Sequence, residues 1–162
     1  MAKRYRKIDS PIGELLLVGT EQALEVIEMP EGKRMITIDR QWMIDMNAFP
    51  EEVRQINEYF VGDRKVFELE TRLNGTPFQL AVLDALKRIP YGQTASYQDI
   101  ANAIGRPTAV RAVGAANGKN PLPILIPCHR VIGSDGSLTG FRGGLSAKRY
   151  LLDLEASESW FL

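Results

Sequence analysis

Cys128 and His129 lie next to each other in the segment PILIPCHRVIGSDG, and they are the only cysteine and the only histidine of the 162-residue chain. The thiolate form of cysteine is a strong nucleophile, and a nearby imidazole makes the thiol easier to ionise. Histidine is also the side chain whose ordinary pKa lies closest to neutrality, which suits it to accept a proton. The adjacency therefore predicts a reactive cysteine, although a buried and inert thiol is the commoner use of a free cysteine.

The apolar run PILIP before Cys128 is bounded by prolines and predicts a short strand that emerges from a packed interior. Adjacent side chains on an extended backbone point apart, so the thiol and the imidazole are expected to communicate through a bridging water. The imidazole then needs a partner that orients it, and a carboxylate is the usual one. The motif itself does not identify that carboxylate.

Other sites are not supported by the sequence. The segment GAANGKN, residues 114–120, is one residue short of a phosphate loop and has Asn120 where that loop requires Ser or Thr. No G-x-G-x-x-G motif follows a predicted strand, so no nucleotide or methyl-donor cofactor is expected. One cysteine and one histidine are too few for a zinc site built from these residues, and no metal is expected.

The composition, 44% hydrophobic and 25% charged, is that of a globular protein. No apolar run reaches the roughly 20 residues of a membrane helix, and the basic start MAKRYRKIDS has no apolar segment behind it, so a cytoplasmic protein without a membrane partner is expected. Residues 1–78 carry 11 Lys/Arg against 14 Asp/Glu, whereas residues 79–162 carry 9 against 6. A mildly basic C-terminal half is a weak indication of a polyanionic partner such as nucleic acid.

The elements that must position the cysteine are helical in the C-terminal part, residues 76–162. Thr76, Pro77 and Gln79 have the pattern of an N-cap, a first helical residue and a capping box, and Ser96 with Asp99 repeats the box before a second helix. A Gly/Pro turn, GRPT, leads to a third helix, AVRAVGAANG, so that a helix-turn-helix is predicted. Apart from Arg111 this third helix has small side chains, which argues against sequence-specific base reading.

The N-terminal part, residues 1–75, reads as a scaffold of short strands and one helix. RYRKID, ELLLVG, ALEVIEM and RMITID have strand composition and are separated by turn-forming residues, which predicts an antiparallel meander. FPEEVRQINEYFVGD predicts a helix, and KVFELE predicts a further short strand. The fold class is therefore α+β, with the boundary between two domains at about residues 75 and 76.

With the motifs in place, the segment from Pro77 to Glu155 resembles the O6-alkylguanine–DNA alkyltransferase family without a gap. The resemblance rests on YGQTASYQDIA, AVRAVG, the N-P before the apolar run, IPCHRV, the G-x-x-GG loop and the final LLxLE. It implies a ribonuclease H-like N-terminal domain and a C-terminal domain that binds duplex DNA and repairs it. A protein of this family acts once, as a monomer without a cofactor, by moving an alkyl group from guanine to its own cysteine.

The resemblance also implies roles for individual residues. Cys128 is the alkyl acceptor, His129 polarises it through water, and Glu155 orients His129. Asn120 stabilises the turn before the active-site strand. Tyr97 rotates the 3′ phosphate of the lesion and hydrogen-bonds the guanine ring.

The remaining roles concern the duplex and the base pocket. Arg111 fills the space of the flipped base, and the minor groove accommodates the small residues of the same helix, Ala112, Gly114 and Ala115. The carbonyls of Cys128 and Val131 accept from the guanine amine, and the loop at Phe141 and Arg142 donates a backbone N–H to O6. Relatives carry Tyr and Ser at those two loop positions, so the width of the pocket is left open.

Two other functions remain as alternatives. A non-catalytic protein that flags alkylated DNA would have the same fold, but those relatives carry another residue at the acceptor position. A cysteine hydrolase that uses Cys128 and His129 would turn over through an acyl intermediate. The sequence lacks the local signatures of that class.

Overall fold

The computed structural model describes residues 2–32 and 36–159, and its first part is a small sheet. β1 (Arg4–Ile8), β2 (Leu15–Gly19) and β3 (Leu24–Glu28) form the predicted antiparallel meander, and β4 (Met43–Ile44) pairs with β1 in parallel. The order is β3-β2-β1-β4. Every residue of β2 is buried, because this central strand is covered on both faces.

The prediction of a strand at RMITID is wrong for the residues that the structure describes. Residues 33–35 lie outside the described residues, and residues 36–39 form no strand. The backbone N–H of Ile36 donates to the Glu28 carboxylate at 3.1 Å, so a side chain, and not a neighbouring strand, satisfies it. The fourth strand begins only at Met43, whose N–H donates to the Lys3 carbonyl at 3.0 Å.

The predicted N-terminal helix is confirmed as α1 (Pro50–Phe60), which buries Gln55, Ile56, Tyr59 and Phe60. The short strand predicted at KVFELE is wrong, since residues 65–70 form no strand. The reason is again a side chain, because the Glu68 N–H donates to the Gln55 amide oxygen at 2.9 Å. This polypeptide is therefore anchored to α1 and not to the sheet.

The C-terminal part contains α2 (Pro77–Lys87), α3 (Tyr97–Ala103), α4 (Val110–Gly118) and α5 (Leu145–Ser159). Both predicted capping boxes are present, at Thr76 with Gln79 and at Ser96 with Asp99. The predicted helix-turn-helix is formed by α3 and α4, which pack on each other and on α2. The two-residue strands β5 (Ala95–Ser96) and β6 (Val131–Ile132) pair in parallel and join the start of α3 to the segment that follows the cysteine.

The strand predicted at PILIP is wrong. Of the differences from prediction, this one matters most for the site, because the segment leads directly to Cys128. Residues 121–127 form a tight turn in which the Ile126 N–H donates to the Leu122 carbonyl at 2.9 Å, and Ile124 has a φ of 77°. Cys128–Arg130 then form one turn of 3₁₀ helix instead of extended backbone. The apolar side chains Leu122, Ile124 and Ile126 are still buried, as expected for a segment in the interior.

One continuous hydrophobic core includes side chains from the sheet, from α1 and from the C-terminal helices. A domain boundary at residues 75 and 76 therefore stays a prediction. Among the described residues, no helix is both long enough and apolar enough to cross a membrane.

Candidate active site

Cys128 lies at the first position of the 3₁₀ turn and is 3% exposed. Its backbone N–H donates to the Ile126 carbonyl at 2.7 Å. The buried Asn120 side chain holds the same turn from both sides, because its amide donates to the Ile126 carbonyl at 2.8 Å and its oxygen accepts from the Leu122 N–H at 3.0 Å. Asn120 thus closes the turn that delivers the cysteine.

The thiol of Cys128 is protonated at rest. Burial raises its pKa, and this effect outweighs the opposing influence of a hydrogen bond from Asn120 and of the positive charges of Arg142 and Lys148. A buried thiol with a raised pKa needs a base to become a nucleophile. The same three groups stabilise the thiolate once it forms.

The next residue, His129, carries an imidazole that can accept a proton. His129 is fully buried, and its Nε2 lies 2.7 Å from Oε2 of Glu155 in α5. Burial lowers the pKa of His129 despite the opposing effect of Glu155, so the imidazole is neutral at neutral pH. An ionised carboxylate only accepts hydrogen bonds, so Nε2 carries the proton and Nδ1 is the basic nitrogen. Nδ1 is buried and has no hydrogen-bond partner in the described part of the chain.

Besides His129, three further residues donate hydrogen bonds to Glu155. The Tyr59 hydroxyl donates to its Oε2 at 2.6 Å, and the Arg130 guanidinium donates through Nε to Oε1 at 2.8 Å and through Nη2 to Oε2 at 3.0 Å. The Gly92 N–H donates to Oε1 at 3.3 Å. Burial alone would raise the pKa of Glu155, but hydrogen bonds from His129 and Arg130, together with the charge of Arg130, lower it to about 2. We call Tyr59, His129, Arg130 and Glu155 the carboxylate cluster.

Sequence reasoning missed two members of the carboxylate cluster. Arg130 belongs to the PCHR motif, and its position directly after His129 was the sequence signal that could have indicated it. Tyr59 is 96 residues from Glu155, and nothing in the local sequence of α1 distinguishes it from a core tyrosine. The cluster is therefore assembled from α1, the 3₁₀ turn and α5.

Tyr97, at the first position of α3, is half-buried between α4 and the loop before α5. Its hydroxyl is 3.4 Å from the Thr139 carbonyl and 3.3 Å from the Thr139 hydroxyl. A Cβ at Gly114 would lie 3.9 Å from the Tyr97 ring, and a Cβ at Gly140 would lie 3.9 Å from its hydroxyl. Tyr97 and Gly114, predicted separately, are thus neighbours.

The outer face of α4 is exposed and made of small side chains with one charge. Arg111, Ala112 and Ala115 are exposed, while Val113, Ala116 and Asn117 are buried on the opposite face. Within the described ranges, no hydrogen bond or ion pair holds the Arg111 side chain. We call Arg111, Ala112, Gly114 and Ala115 the α4 outer face.

Val131 and Phe141 are both buried, and the Val131 carbonyl accepts a hydrogen bond from the Lys148 ammonium at 2.5 Å. The same ammonium donates to the Thr139 carbonyl at 2.9 Å, so the buried Lys148 ties the strand after the cysteine to the loop that precedes α5. Lys148 was not predicted. Burial lowers its pKa, and a thiolate at Cys128 opposes that shift once it forms.

Arg142 was predicted for its backbone, but its side chain has a separate role in the structure. The guanidinium forms an ion pair with Glu28 at the end of β3 at 2.9 Å and donates to the carbonyls of Ile27 at 3.3 Å and Asn120 at 2.8 Å. It therefore connects the loop at residues 141–144, the sheet and the turn closed by Asn120. Glu28, its partner, was also missed by sequence reasoning.

Two models of known protein families match the sequence of the chain. The DNA-binding domain of 6-O-methylguanine DNA methyltransferase matches residues 77–157, and the ribonuclease-like domain of 6-O-methylguanine DNA methyltransferase matches residues 3–73. The α+β fold and the resemblance read from the C-terminal motifs are thereby confirmed, and the resemblance extends to the N-terminal part.

Individual relatives agree with the family models. A methylated-DNA–protein-cysteine methyltransferase of Methanosarcina barkeri is 49% identical over 151 residues, which are 93% of this chain and 96% of the relative. A protein of the same name from Mycobacterium bovis is 50% identical over 155 residues, 96% of this chain and 93% of the relative. The crystal structure of Mycobacterium tuberculosis OGT in complex with DNA has a TM-score of 0.89 at 50% identity and covers 96% of this chain and 94% of that one.

Proposed function

The chain belongs to the 6-O-methylguanine DNA methyltransferase family, and we propose that it repairs DNA by transferring the alkyl group of an O6-alkylguanine to its own Cys128. In this step the thiol proton moves to His129, the sulfur–carbon bond forms, and the bond between O6 and the alkyl carbon breaks. The guanine takes up a proton and is restored. The thioether on Cys128 offers water no carbonyl to attack, so each molecule reacts once.

The observation that carries this proposal is the contact between His129 and Glu155. Because Nε2 of His129 is committed to the carboxylate, Nδ1 is left as a neutral base in the residue next to the only cysteine. A bridging water between Nδ1 and the thiol completes the proton path. The buried thiol with its raised pKa is inert until that base acts, which suits a protein that must keep its acceptor for one reaction.

The target carbon lies inside a stacked duplex, so the alkylated base must leave the helix to reach Cys128. The α4 outer face supports an approach through the minor groove, because its small side chains let the helix lie close and read no sequence. Arg111 is exposed and free of intramolecular partners in the described residues, so it can enter the duplex and replace the flipped base.

The pocket for the flipped base is proposed between the 3₁₀ turn and the loop before α5. The carbonyls of Cys128 and Val131 accept from the guanine amine, Tyr97 bonds the ring, and Phe141 packs on the base. The loop at Arg142 supplies a backbone N–H to O6.

No cofactor is needed, because the alkyl group comes from the DNA and its acceptor is part of the chain. We place the protein in the cytoplasm, since an acceptor thiol that must stay unoxidised requires a reducing compartment. We also propose that it acts as a monomer.

The test is the intact mass of the protein after incubation with a duplex that contains one O6-methylguanine, followed by peptide mapping. The expected result is one methyl group on Cys128 per molecule, without turnover. The Cys128→Ala variant should bind the same duplex and gain no mass.

Two outcomes would overturn the proposal. Tight binding of the lesion without any gain of mass would indicate a protein that flags damage. Methyl transfer of undiminished extent by Cys128→Ala would place the acceptor elsewhere.

A further inference from the structure

Tyr59 brings a side chain of the N-terminal part into the carboxylate cluster. Tyr59 of α1 is fully buried, and its hydroxyl donates to Oε2 of Glu155, the oxygen that also accepts from Nε2 of His129. The ring of Tyr59 is fixed by aromatic contacts with Phe60, Phe67 and Tyr91, with centroids 5.4, 5.5 and 6.2 Å away. The hydroxyl is thus held in place independently of the residues that it contacts in the cluster.

The direction of the Tyr59 hydrogen bond follows from charge. Glu155 is ionised because Arg130 donates to both of its oxygens, and an ionised carboxylate can only accept. The buried Tyr59 hydroxyl is therefore a donor and cannot act as a base. A short hydrogen bond to a charged oxygen is among the stronger ones in proteins.

Three groups donate hydrogen bonds to Oε2, and together they influence whether the His129 imidazole is neutral or protonated. Tyr59, His129 and Arg130 all donate to this oxygen, at 2.6, 2.7 and 3.0 Å. Each donor lowers the basicity of the oxygen, so the proton between Oε2 and Nε2 stays on nitrogen. Each donor also restricts rotation of the carboxylate, which keeps the oxygen in the plane that the imidazole requires.

We propose that Tyr59 is a positioning residue for alkyl transfer: its hydroxyl fixes Oε2 of Glu155 and thereby holds His129 as the neutral tautomer whose free nitrogen is Nδ1. The inference rests on the proposed function and gives the N-terminal part a share in the chemistry. Among the described donors to Glu155, Tyr59 is the one that comes from the N-terminal part. The others, Gly92, His129 and Arg130, precede α5 in the C-terminal part.

The groups that influence the titration of His129 come from several elements. Glu155 and Lys148 of α5 and Arg130 of the 3₁₀ turn act on His129 directly. Cys128 is its neighbour in the same turn, while Tyr59 of α1 contacts Glu155 and is itself influenced by Tyr91. Removing the hydroxyl makes Oε2 a stronger acceptor and leaves the other groups in place. The imidazolium form is then better stabilised, so the pKa of His129 should rise in Tyr59→Phe.

The chain has one histidine, so its imidazole nitrogens can be observed by ¹⁵N NMR without assignment. The experiment compares wild type, Tyr59→Phe and the control Tyr150→Phe, which removes a hydroxyl from a partly exposed tyrosine of α5. Imidazole spectra are recorded between pH 5 and 8. Single-turnover methyl transfer is measured over the same range with a duplex that contains O6-methylguanine.

Wild type and Tyr150→Phe should show one protonated and one unprotonated nitrogen, with the proton on Nε2. In Tyr59→Phe the Nδ1 signal should shift towards that of a protonated nitrogen at a higher pH than in wild type, because the imidazolium form is better stabilised. Transfer should be about tenfold slower, because a less well positioned histidine contributes less as a general base. The pH below which the transfer rate falls should be higher in Tyr59→Phe than in wild type. Loss of a purely structural contact would not shift that pH.

A second variant covers the case in which Tyr59→Phe does not fold. Fluorotyrosine placed at position 59 keeps the ring and makes the hydroxyl a stronger donor, so the pH below which the transfer rate falls should be lower, opposite to Tyr59→Phe. Unchanged spectra and rates in either folded variant would overturn the inference, and so would a mixed tautomer in wild type. If wild type takes up no methyl group, the proposed function fails, while the ¹⁵N spectra still decide whether Tyr59 holds His129 in its neutral form.

Discussion

The carboxylate cluster and the α4 outer face are opposites in construction. The cluster is buried and charged, and its central group, Glu155, accepts hydrogen bonds from four residues drawn from distant parts of the chain. The α4 outer face is exposed, lies within five consecutive residues and has one charged side chain without an intramolecular partner in the described structure. In our proposal the buried cluster, in which Nδ1 of His129 is left open, supports the chemistry, and the exposed face contacts the DNA.

The difference shows how each part is expected to respond to change. A buried charge that loses its partner costs stability and function together, because no water replaces the lost hydrogen bonds. An exposed side chain that makes no internal contact can be changed without harm to the fold. The following variants test this contrast, beginning with the largest expected effect.

Replacing Glu155 with Ala should slow methyl transfer by about 10³-fold, because His129 loses the group that fixes its tautomer. It should also lower the free energy of unfolding by about 3–5 kcal/mol, since the Arg130 charge is left buried without its partner. Single-turnover kinetics and urea unfolding measure the two effects. Asp153→Ala, an exposed carboxylate two residues earlier on α5, is the control, and equal losses in both variants would contradict the role of the cluster.

Acid should destabilise the protein through Glu155. Its pKa is about 2 in the folded protein against an ordinary value of 4.5, so the unfolded chain binds the proton more tightly. The stabilisation is fully present above pH 4.5 and is lost as the pH falls towards 2, by roughly 3 kcal/mol in total. Urea midpoints between pH 6 and 3 should fall steeply in wild type and in Asp153→Asn. They should fall much less in Glu155→Gln, and parallel slopes in all three would refute the assignment.

Arg111→Ala should slow repair of duplex DNA by about 10–100-fold, because nothing then fills the space of the extruded base. Reaction with the free base O6-methylguanine should be unchanged, since no duplex has to be opened. Stability should stay within about 0.5 kcal/mol of wild type. Arg88→Ala, which removes an exposed arginine at the C-cap of α2, is the control. Equal losses on duplex and free base would place Arg111 in the pocket instead of in the duplex.

The smallest effect is expected for Ala115→Leu. Leucine is nearly as good a helix former as alanine, so the stability should change by less than about 0.5 kcal/mol. The larger side chain should hold α4 away from the groove and weaken binding to undamaged duplex by about fivefold, or about 1 kcal/mol. A fluorescence titration measures this, with Ala81→Leu on the exposed side of α2 as control. Full affinity in Ala115→Leu would show that α4 does not lie against the DNA.

Much of the fold could be predicted because its signals are local. The capping residues Thr76 and Ser96 act on N–H groups within three residues of themselves, and the buried face of α4 follows from helical periodicity. The three strand predictions that are wrong, at RMITID, KVFELE and PILIP, concern short apolar runs. Such runs become strands only where a neighbouring backbone is available, and here side chains or tight turns satisfy the backbone instead.

The features of the candidate site also fall into those that the local sequence predicts and those that only the tertiary structure shows. The sequence by itself determined that the one cysteine and the one histidine are adjacent, that an apolar segment carries them into the interior, and that α4 has a small-residue face with Arg111 on it. Glu155 as the partner of His129 came from the family resemblance, because the residues alone left the carboxylate open. The tertiary structure decided that Tyr59 and Arg130 clamp Glu155 and that Arg142 joins the pocket loop to β3. These contacts span 25 to 114 residues, and only the packing of α1, β3 and α5 brings such groups within hydrogen-bonding distance.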